Sequence, residues 1–174
     1  IKVAVDMVQE GFIGKQEAVK RVPADQLDQI FHPMIDPKSK AKVLGQGLGA
    51  SPGAASGKVV FTPEHALILS EEKEKVILVR METSPEDIHG MSVAQGILTA
   101  KGGMTSHAAV VARGMGTPCV SGAGNIRIDY DAQTFSVLGR IVKKGDIVTV
   151  DGATGQVFAG EVDMVQPELS GDFS

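Results

Sequence analysis

The segment GGMTSHAAVVARGMG, Gly102–Gly116, decides how this chain is read. Two glycines and two hydroxyl residues lead to His107, and the chain then runs straight into AAVVAR. That order predicts a loop-to-helix junction with an imidazole at the helix N-terminus. Such a terminus presents unpaired backbone N–H groups and a partial positive charge, so it attracts anions such as phosphate. Gly102 and Gly103 have no Cβ and let another backbone or a phosphate approach closely. A neutral imidazole is also a nucleophile that can form a covalent intermediate. Together these features point to a histidine that accepts and passes on a phosphoryl group. The bland reading, a histidine that only caps a helix or rests in a loop, uses the same letters.

The neighbours of His107 divide in the same way. The hydroxyls of Thr105 and Ser106 can donate to phosphate oxygens or cap the helix. Ala108, Val110 and Val111 are expected to anchor the helix on a sheet. Arg113 lies well into the helix, where a salt bridge to a carboxylate is expected rather than a phosphate contact.

Outward from this segment the chain changes character twice. Residues 1 to about 32 read as helices, with Val5, Val8 and Phe12 at three- and four-residue spacing and a glycine stop at Gly11 or Gly14. A second helix fits Lys15–Val22, and a third fits ADQLDQIF up to His32-Pro33. Pro33–Lys42 reads as a linker. From Val43 the sequence is rich in glycine and small residues, then alternates into a strand at Lys58–Phe61. Thr62-Pro63-Glu64 starts a helix through Glu72. VILVR, Val76–Arg80, is the apolar run of a strand buried on both faces. Ser84-Pro85 starts another helix, with serine as cap and proline at the first helical position. Strands follow at Gly96–Ala100 and Pro118–Ser121. Beyond Asn125 four more are expected, at 126–130, 134–137, 147–151 and 157–160, and VDGATGQVF reads as a hairpin. The division is a helical arm and linker over 1–42, a compact α/β sandwich over 43–163 and a C-terminal linker over 164–174.

Size and composition set the bounds. At 174 residues the chain can bury one good core and a small appendage. A net charge of −4 gives no reason to expect nucleic acid or an acidic membrane as partner, and no run is long or apolar enough to span a bilayer. The lone cysteine, Cys119, forms no intrachain disulfide, fits a reducing compartment and reads as a small buried residue. The opening IKVAVDMVQE looks like the middle of a helix, so the chain reads as a piece of a longer polypeptide. His32, His65 and His89 read as surface or satisfied core residues, with no metal-site spacing among them. Glu86 and Asp87 fit helix-dipole roles.

The spelling Gly-Gly-x-Thr-x-His followed by Ala-Ala-Val-Val-Ala-Arg resembles the phosphohistidine signature of the phosphoenolpyruvate-utilising enzymes. GLGASPGAASGKVVF, METSPEDIHGM and GILTAKGGMTSHAAVVARGMGTPCVSG extend the resemblance over about residues 3–161. The one difference noted is Lys101, where arginine is often seen; lysine keeps the charge but not the bidentate fork. The resemblance implies an α/β fold, a swivelling phosphohistidine domain built as a β/β/α sandwich and preceded by a helical arm. It is strongest to members that interconvert ATP, phosphate and pyruvate with AMP, pyrophosphate and phosphoenolpyruvate. In these, one histidine carries the phosphoryl group between an ATP-grasp nucleotide domain and a pyruvate barrel. His107 matches that histidine; Gly102, Gly103, Thr105 and Ser106 match its supporting loop. A sister enzyme that uses water in place of phosphate shares the carrier step and stays open, as does a non-catalytic anion- or partner-binding module. The resemblance further implies Mg2+ held by the other domains, no metal in this segment, a homodimer of the whole enzyme and a cytoplasmic location, an organellar one staying open. In some members the threonine matching Thr105 is phosphorylated by a regulatory kinase and released by a phosphatase.

Overall fold

A computed structural model of the chain describes residues 2–20 and 32–166. These fall into two compact units, an N-terminal helical unit and a larger one, Pro33–Val165. The first has helices at Lys2–Gln9 and Lys15–Lys20. Gly11, at φ +75°, ends the first of them, and Phe12 N–H returns to the Met7 carbonyl at 2.9 Å. The third expected helix lies outside the described residues.

The larger unit starts from its central strands. β4 (Ala54–Val60), β5 (Val76–Arg80), β6 (Gly96–Thr99) and β7 (Cys119–Ser121) lie side by side and parallel. Their connections are the helices Pro63–Glu71, Ile88–Val93 and His107–Met115. Alternation along β5 shows why the run is apolar throughout. Val76 and Leu78 pack with Ala108, Ala109 and Ala112 on the helical side. Ile77 and Val79 pack with Phe135, Val137 and Val142 on the other. That second face is covered by a three-stranded sheet of β8 (Arg127–Asp129), β9 (Thr134–Val137) and β10 (Arg140–Lys143). The layers are therefore small sheet, large sheet and helices, the expected β/β/α sandwich. Phe61 and Phe135 meet edge to face across it, with ring centroids 6.4 Å apart.

Four antiparallel strands complete the large sheet: β2 (Val43–Gln46), β3 (Leu48–Ser51), β11 (Ile147–Asp151) and β12 (Gln156–Ala159). The order is β2-β12-β11-β4-β5-β6-β7-β3. β11 and β12 form the expected hairpin. β2 and β3 stand at opposite ends of the order although only Gly47 separates them. At Gly49 a Cβ would lie 2.6 Å from the Ala153 and Gly152 carbonyl oxygens, so the glycine content that reads as loop is what lets this segment cross another backbone. β1 (Met34–Ile35), inside the stretch expected as a linker, pairs with β13 (Met164–Val165). Asp36 N–H adds a bond to the Asp163 carbonyl at 2.9 Å. Among the described residues no helix is long and apolar enough to cross a membrane.

Candidate functional site

His107 sits beyond the C-terminal ends of the parallel strands, where the loops of an open α/β sheet gather. The loop after β6 is laced to its neighbours by main-chain bonds. Ala100 N–H donates to the Arg80 carbonyl at 3.1 Å, Lys101 N–H to Met81 at 2.8 Å, and Ala123 N–H to Thr99 at 2.9 Å. Gly102 adopts φ +109°, and a Cβ there would lie 2.9 Å from Ser106 Oγ. Gly122, at φ +67°, leaves room for the Gly102 carbonyl, which a Cβ would strike. Beneath the loop three hydroxyls form a chain. Thr99 Oγ1 donates to the Lys101 carbonyl at 2.8 Å and lies 3.2 Å from Ser121 Oγ, which is 3.3 Å from Ser106 Oγ.

Ser106 is the N-cap of the helix: its backbone is extended and its Oγ accepts from Ala109 N–H at 3.4 Å. Of the two hydroxyl residues before the histidine, it is Ser106 that caps, and Thr105 is exposed. Gly103 carries the other main-chain tie, its carbonyl accepting from Ser106 N–H at 3.0 Å. His107 opens the helix, half-buried, with Nδ1 2.9 Å from Thr83 Oγ1. Thr83 is buried, and the turn that carries it is braced at both ends. Met81 N–H donates to the Tyr130 hydroxyl at 2.7 Å, and Ser84 N–H donates to Asp87 Oδ2 at 2.8 Å. Asp87 is itself buried and ion-paired with Arg80, Oδ1 to Nε at 3.3 Å. Arg80 also donates to the Phe61 carbonyl at 3.1 Å and lies over the Tyr130 ring, 5.1 Å from its centroid. The imidazole is thus oriented through Nδ1 by a hydroxyl that cannot move far, which leaves Nε2 as the nitrogen for a reacting atom.

Sequence reading missed Thr83, Arg80, Ser121 and Tyr130. A signal existed for Thr83, a hydroxyl residue just past the C-terminal end of a buried parallel strand, but only the fold pairs it with His107. Two expectations change. Arg113 makes no carboxylate bridge among the described residues; its guanidinium donates to the Ala50 carbonyl at 3.1 Å and to the Met104 carbonyl at 2.7 Å. Ala108 is buried and Val111 packs against the core, but Val110 points outward, 52% exposed. Asp87 ends the 3-10 turn Pro85–Asp87 and precedes the helix Ile88–Val93, and its carboxylate is also the buried partner of Arg80. Glu86 is exposed in the first turn of that element.

His32 and His65 are half-buried and His89 is exposed. The described residues gather no group of three metal-ligating side chains. Cys119 is fully buried, and burial pushes its thiol up to about 12, with the Arg113 guanidinium opposing weakly, so it stays protonated and inert.

The holding of Nδ1 by Thr83 has a measurable consequence. Thr83→Val should slow any reaction at Nε2 by about tenfold, the value of one lost buried hydrogen bond. Thr83→Ser should restore most of the rate. Initial rates of phosphohistidine formation for the two variants, with circular dichroism as a check on folding, decide it.

Residues 72–155 match the family described as PEP-utilising enzyme, mobile domain. The chain is 59% identical over 173 residues to pyruvate, phosphate dikinase of Rhizobium meliloti (strain 1021), covering 99% of this chain and 19% of that protein. It is 51% identical to pyruvate, phosphate dikinase of Clostridium symbiosum, covering 99% and 20%. It is 49% identical to the chloroplastic pyruvate, phosphate dikinase of Flaveria trinervia, covering 99% and 18%. The chain thus spans about a fifth of the length of these curated relatives. A solution structure of Enzyme I aligns with 52% of this chain and 33% of that one, at 34% identity and a TM-score of 0.37.

Proposed function

We propose that this chain, which belongs to the mobile-domain family of the phosphoenolpyruvate-utilising enzymes, is the phosphoryl carrier of a pyruvate, phosphate dikinase. His107 is the catalytic residue. The single observation that carries this reading is an imidazole at a helix N-terminus whose Nδ1 is fixed by Thr83 at 2.9 Å. With Nδ1–H donating to Thr83, the Nε2 lone pair faces outward and attacks phosphorus. The N–P bond forms as the donor's P–O bond breaks, and the ring becomes a phosphorylated imidazolium. Its positive charge then makes Nε2 a good leaving group, so an enolate oxygen of pyruvate takes the phosphoryl group and the ring returns to neutral. The helix N-terminus offsets the charge of the phosphoryl oxygens while they are carried, and positioning supplies most of the rate.

ATP is the donor at an ATP-grasp domain and pyruvate the acceptor at a barrel domain, both in the same polypeptide. One histidine serves both by a rigid-body swing, with the stretch before Pro33 and the stretch after Val165 as linkers in place of the expected 1–42 and 164–174. The β1–β13 ribbon supports this, because it brings the two ends of the carrier unit together. Mg2+ belongs to the other domains: the residues around His107 offer hydroxyls, and the nearby carboxylate of Asp87 is taken up by Arg80 and Ser84. The whole enzyme is a cytoplasmic or organellar homodimer. Supplying the nucleotide domain with ATP labelled in the β-phosphate, then mapping the label by mass spectrometry, tests the assignment. Label on His107 supports it, and label on His32, His65 or His89 with His107 unmodified overturns it.

Thr105 is the regulatory position, acted on by a kinase and a phosphatase. It is exposed, so an enzyme can reach it. A phosphate there would set a dianion beside the same N–H donors that must receive the transferred group. Thr105→Glu should therefore lower transfer by at least about tenfold, each 1.4 kcal/mol of repulsion costing one factor of ten, while Thr105→Ser stays within about twofold. Full activity of the Thr105→Glu enzyme in a coupled assay would refute the electrostatic account.

A further inference from the structure

Arg113 stands in the last turn of the helix that begins at His107, and its side chain reaches back toward the loop before it. One arm of the guanidinium donates to the Ala50 carbonyl in β3 at 3.1 Å, the other to the Met104 carbonyl at 2.7 Å. A planar fork holds two acceptors at once in fixed directions, as an ammonium does not. Ala50 is buried, so one arm is anchored on the sheet while the other steers the loop. The Met104 bond lies at the surface, where water would serve the carbonyl as well, so it contributes little to stability. The helix itself is already set by the Ser106 cap, the alanine face and the Gly116 stop.

Packing does little to restrain this part of the loop. A Cβ at Gly103 would meet nothing within 4 Å, and Met104 and Thr105 are exposed. Ser106 N–H donates to the Gly103 carbonyl at 3.0 Å and closes a four-residue turn. The central peptide of that turn, Met104–Thr105, is the one whose rotation separates one turn type from another. In a trans peptide the carbonyl and the N–H share a plane and point in opposite directions, and the described residues include no cis bond. The grip on the Met104 carbonyl therefore also fixes the Thr105 N–H, which points away from the guanidinium. Among the described residues that N–H has no acceptor, and neither have those of His107 and Ala108, whereas the Ser106 and Ala109 N–H groups are taken.

We propose that Arg113 is a positioning residue for phosphoryl transfer: through the Met104 carbonyl it holds the Thr105 N–H as a donor to the phosphoryl oxygens carried on His107 Nε2. The proposal rests on the carrier reading and adds to it a residue that acts without bonding to the imidazole. It gives Thr105 a main-chain role separate from that of its hydroxyl. A donor to a charged oxygen is strong, and it speeds a reaction when it is aimed before the charge arrives. An N–H in a freely rotating turn is not aimed; one whose peptide plane is clamped from behind is.

The test uses the 174-residue chain, uniformly labelled with heavy nitrogen and treated with phosphoramidate, which loses ammonia as the Nε2–P bond forms. In the unsubstituted chain the Thr105 amide proton should move downfield on phosphorylation. In Arg113→Met the rest of the amide spectrum should be retained and that movement lost. The initial rate of His107 phosphorylation should fall about tenfold, the value of one charge-assisted hydrogen bond. Arg113→Ala should show the same losses, and guanidinium ion at low concentration should restore the movement and most of the rate, which a general loss of packing would not allow. A Thr105 amide unmoved by phosphorylation in the unsubstituted chain overturns the donor. A movement retained in Arg113→Met with a rate within about twofold overturns the role of Arg113, as do unfolding of both variants or guanidinium without effect on Arg113→Ala. Failure of the unsubstituted chain to be phosphorylated at His107 overturns the carrier reading itself, and this proposal with it.

Discussion

Replacing His107 with alanine is expected to abolish phosphoryl transfer and leave the domain folded. The imidazole is half-buried at the first position of its helix, and the contacts that set the helix come from its neighbours: the Ser106 cap, the Ala108, Ala109 and Ala112 face, and the Gly116 stop at φ +67°. Alanine is a good helix former, so the junction should persist. The nucleophile has no substitute nearby. Thr105 and Ser106 carry hydroxyls, but neither adjoins a general base in the way that activates a hydroxyl. Label transfer from ATP should fall below detection, while the circular dichroism spectrum and melting temperature stay close to those of the unsubstituted protein. Residual transfer above a few per cent would place the covalent step elsewhere. His107→Asn should behave in the same way, because the amide is not a nucleophile.

The second large effect is expected at Asp87. Its carboxylate is buried, 2% exposed, and serves Ser84 N–H and Arg80 at once. Asp87→Ala would strand a guanidinium that, among the described residues, keeps only the Phe61 carbonyl and the Tyr130 ring. It would also release the start of the turn behind Thr83. Breaking a buried pair from one side costs about 3–5 kcal/mol, and the lower end, about 3 kcal/mol, applies because the Arg80 side chain is partly solvated. For a unit of this size that is a drop of roughly 6–12 °C in melting temperature. Activity should fall more than stability alone explains, since Thr83 loses its brace. Asp87→Asn, which keeps the acceptor for Ser84 N–H and gives up the charge, should fall between. A melting temperature within 2 °C of the unsubstituted protein for Asp87→Ala would mean that the pair contributes little.

How much of this was legible beforehand depends on the kind of residue. VILVR declared a strand covered on both sides, and the two core clusters on its faces agree. The helix at His107 was legible because glycine, serine and a run of small apolar residues all give the same local instruction. β2 and β3 were not, because Gly45, Gly47 and Gly49 carry loop propensity, and only the close approach of another backbone at Gly47 and Gly49 turns that absence of side chains into an advantage. β10 was missed for a different reason. Arg140 and Lys143 flank a strand with one buried residue, Val142, and the turn before it places Leu138 at φ +49°, where asparagine or glycine is the usual cue. Thr83 and Val110 show the limit on function. Local pattern tells which residues are polar or apolar; it does not tell which partner lies 24 positions away, or which valine of a pair faces out.

The two outermost strands of the large sheet are halves of one bent segment, hinged at Gly47 and four residues each. At Gly47 a Cβ would press on the Ser121 carbonyl and on Val120, each at 2.8 Å, so the bend is packed tightly against β7. An open β-sheet normally leaves two long rims of unpaired N–H and C=O groups, which recruit foreign strands and seed aggregation. Here both rims are short and meet at a corner. Rims of four residues offer a foreign strand little main chain to pair with, so contacts made at these edges of the large sheet fall to side chains.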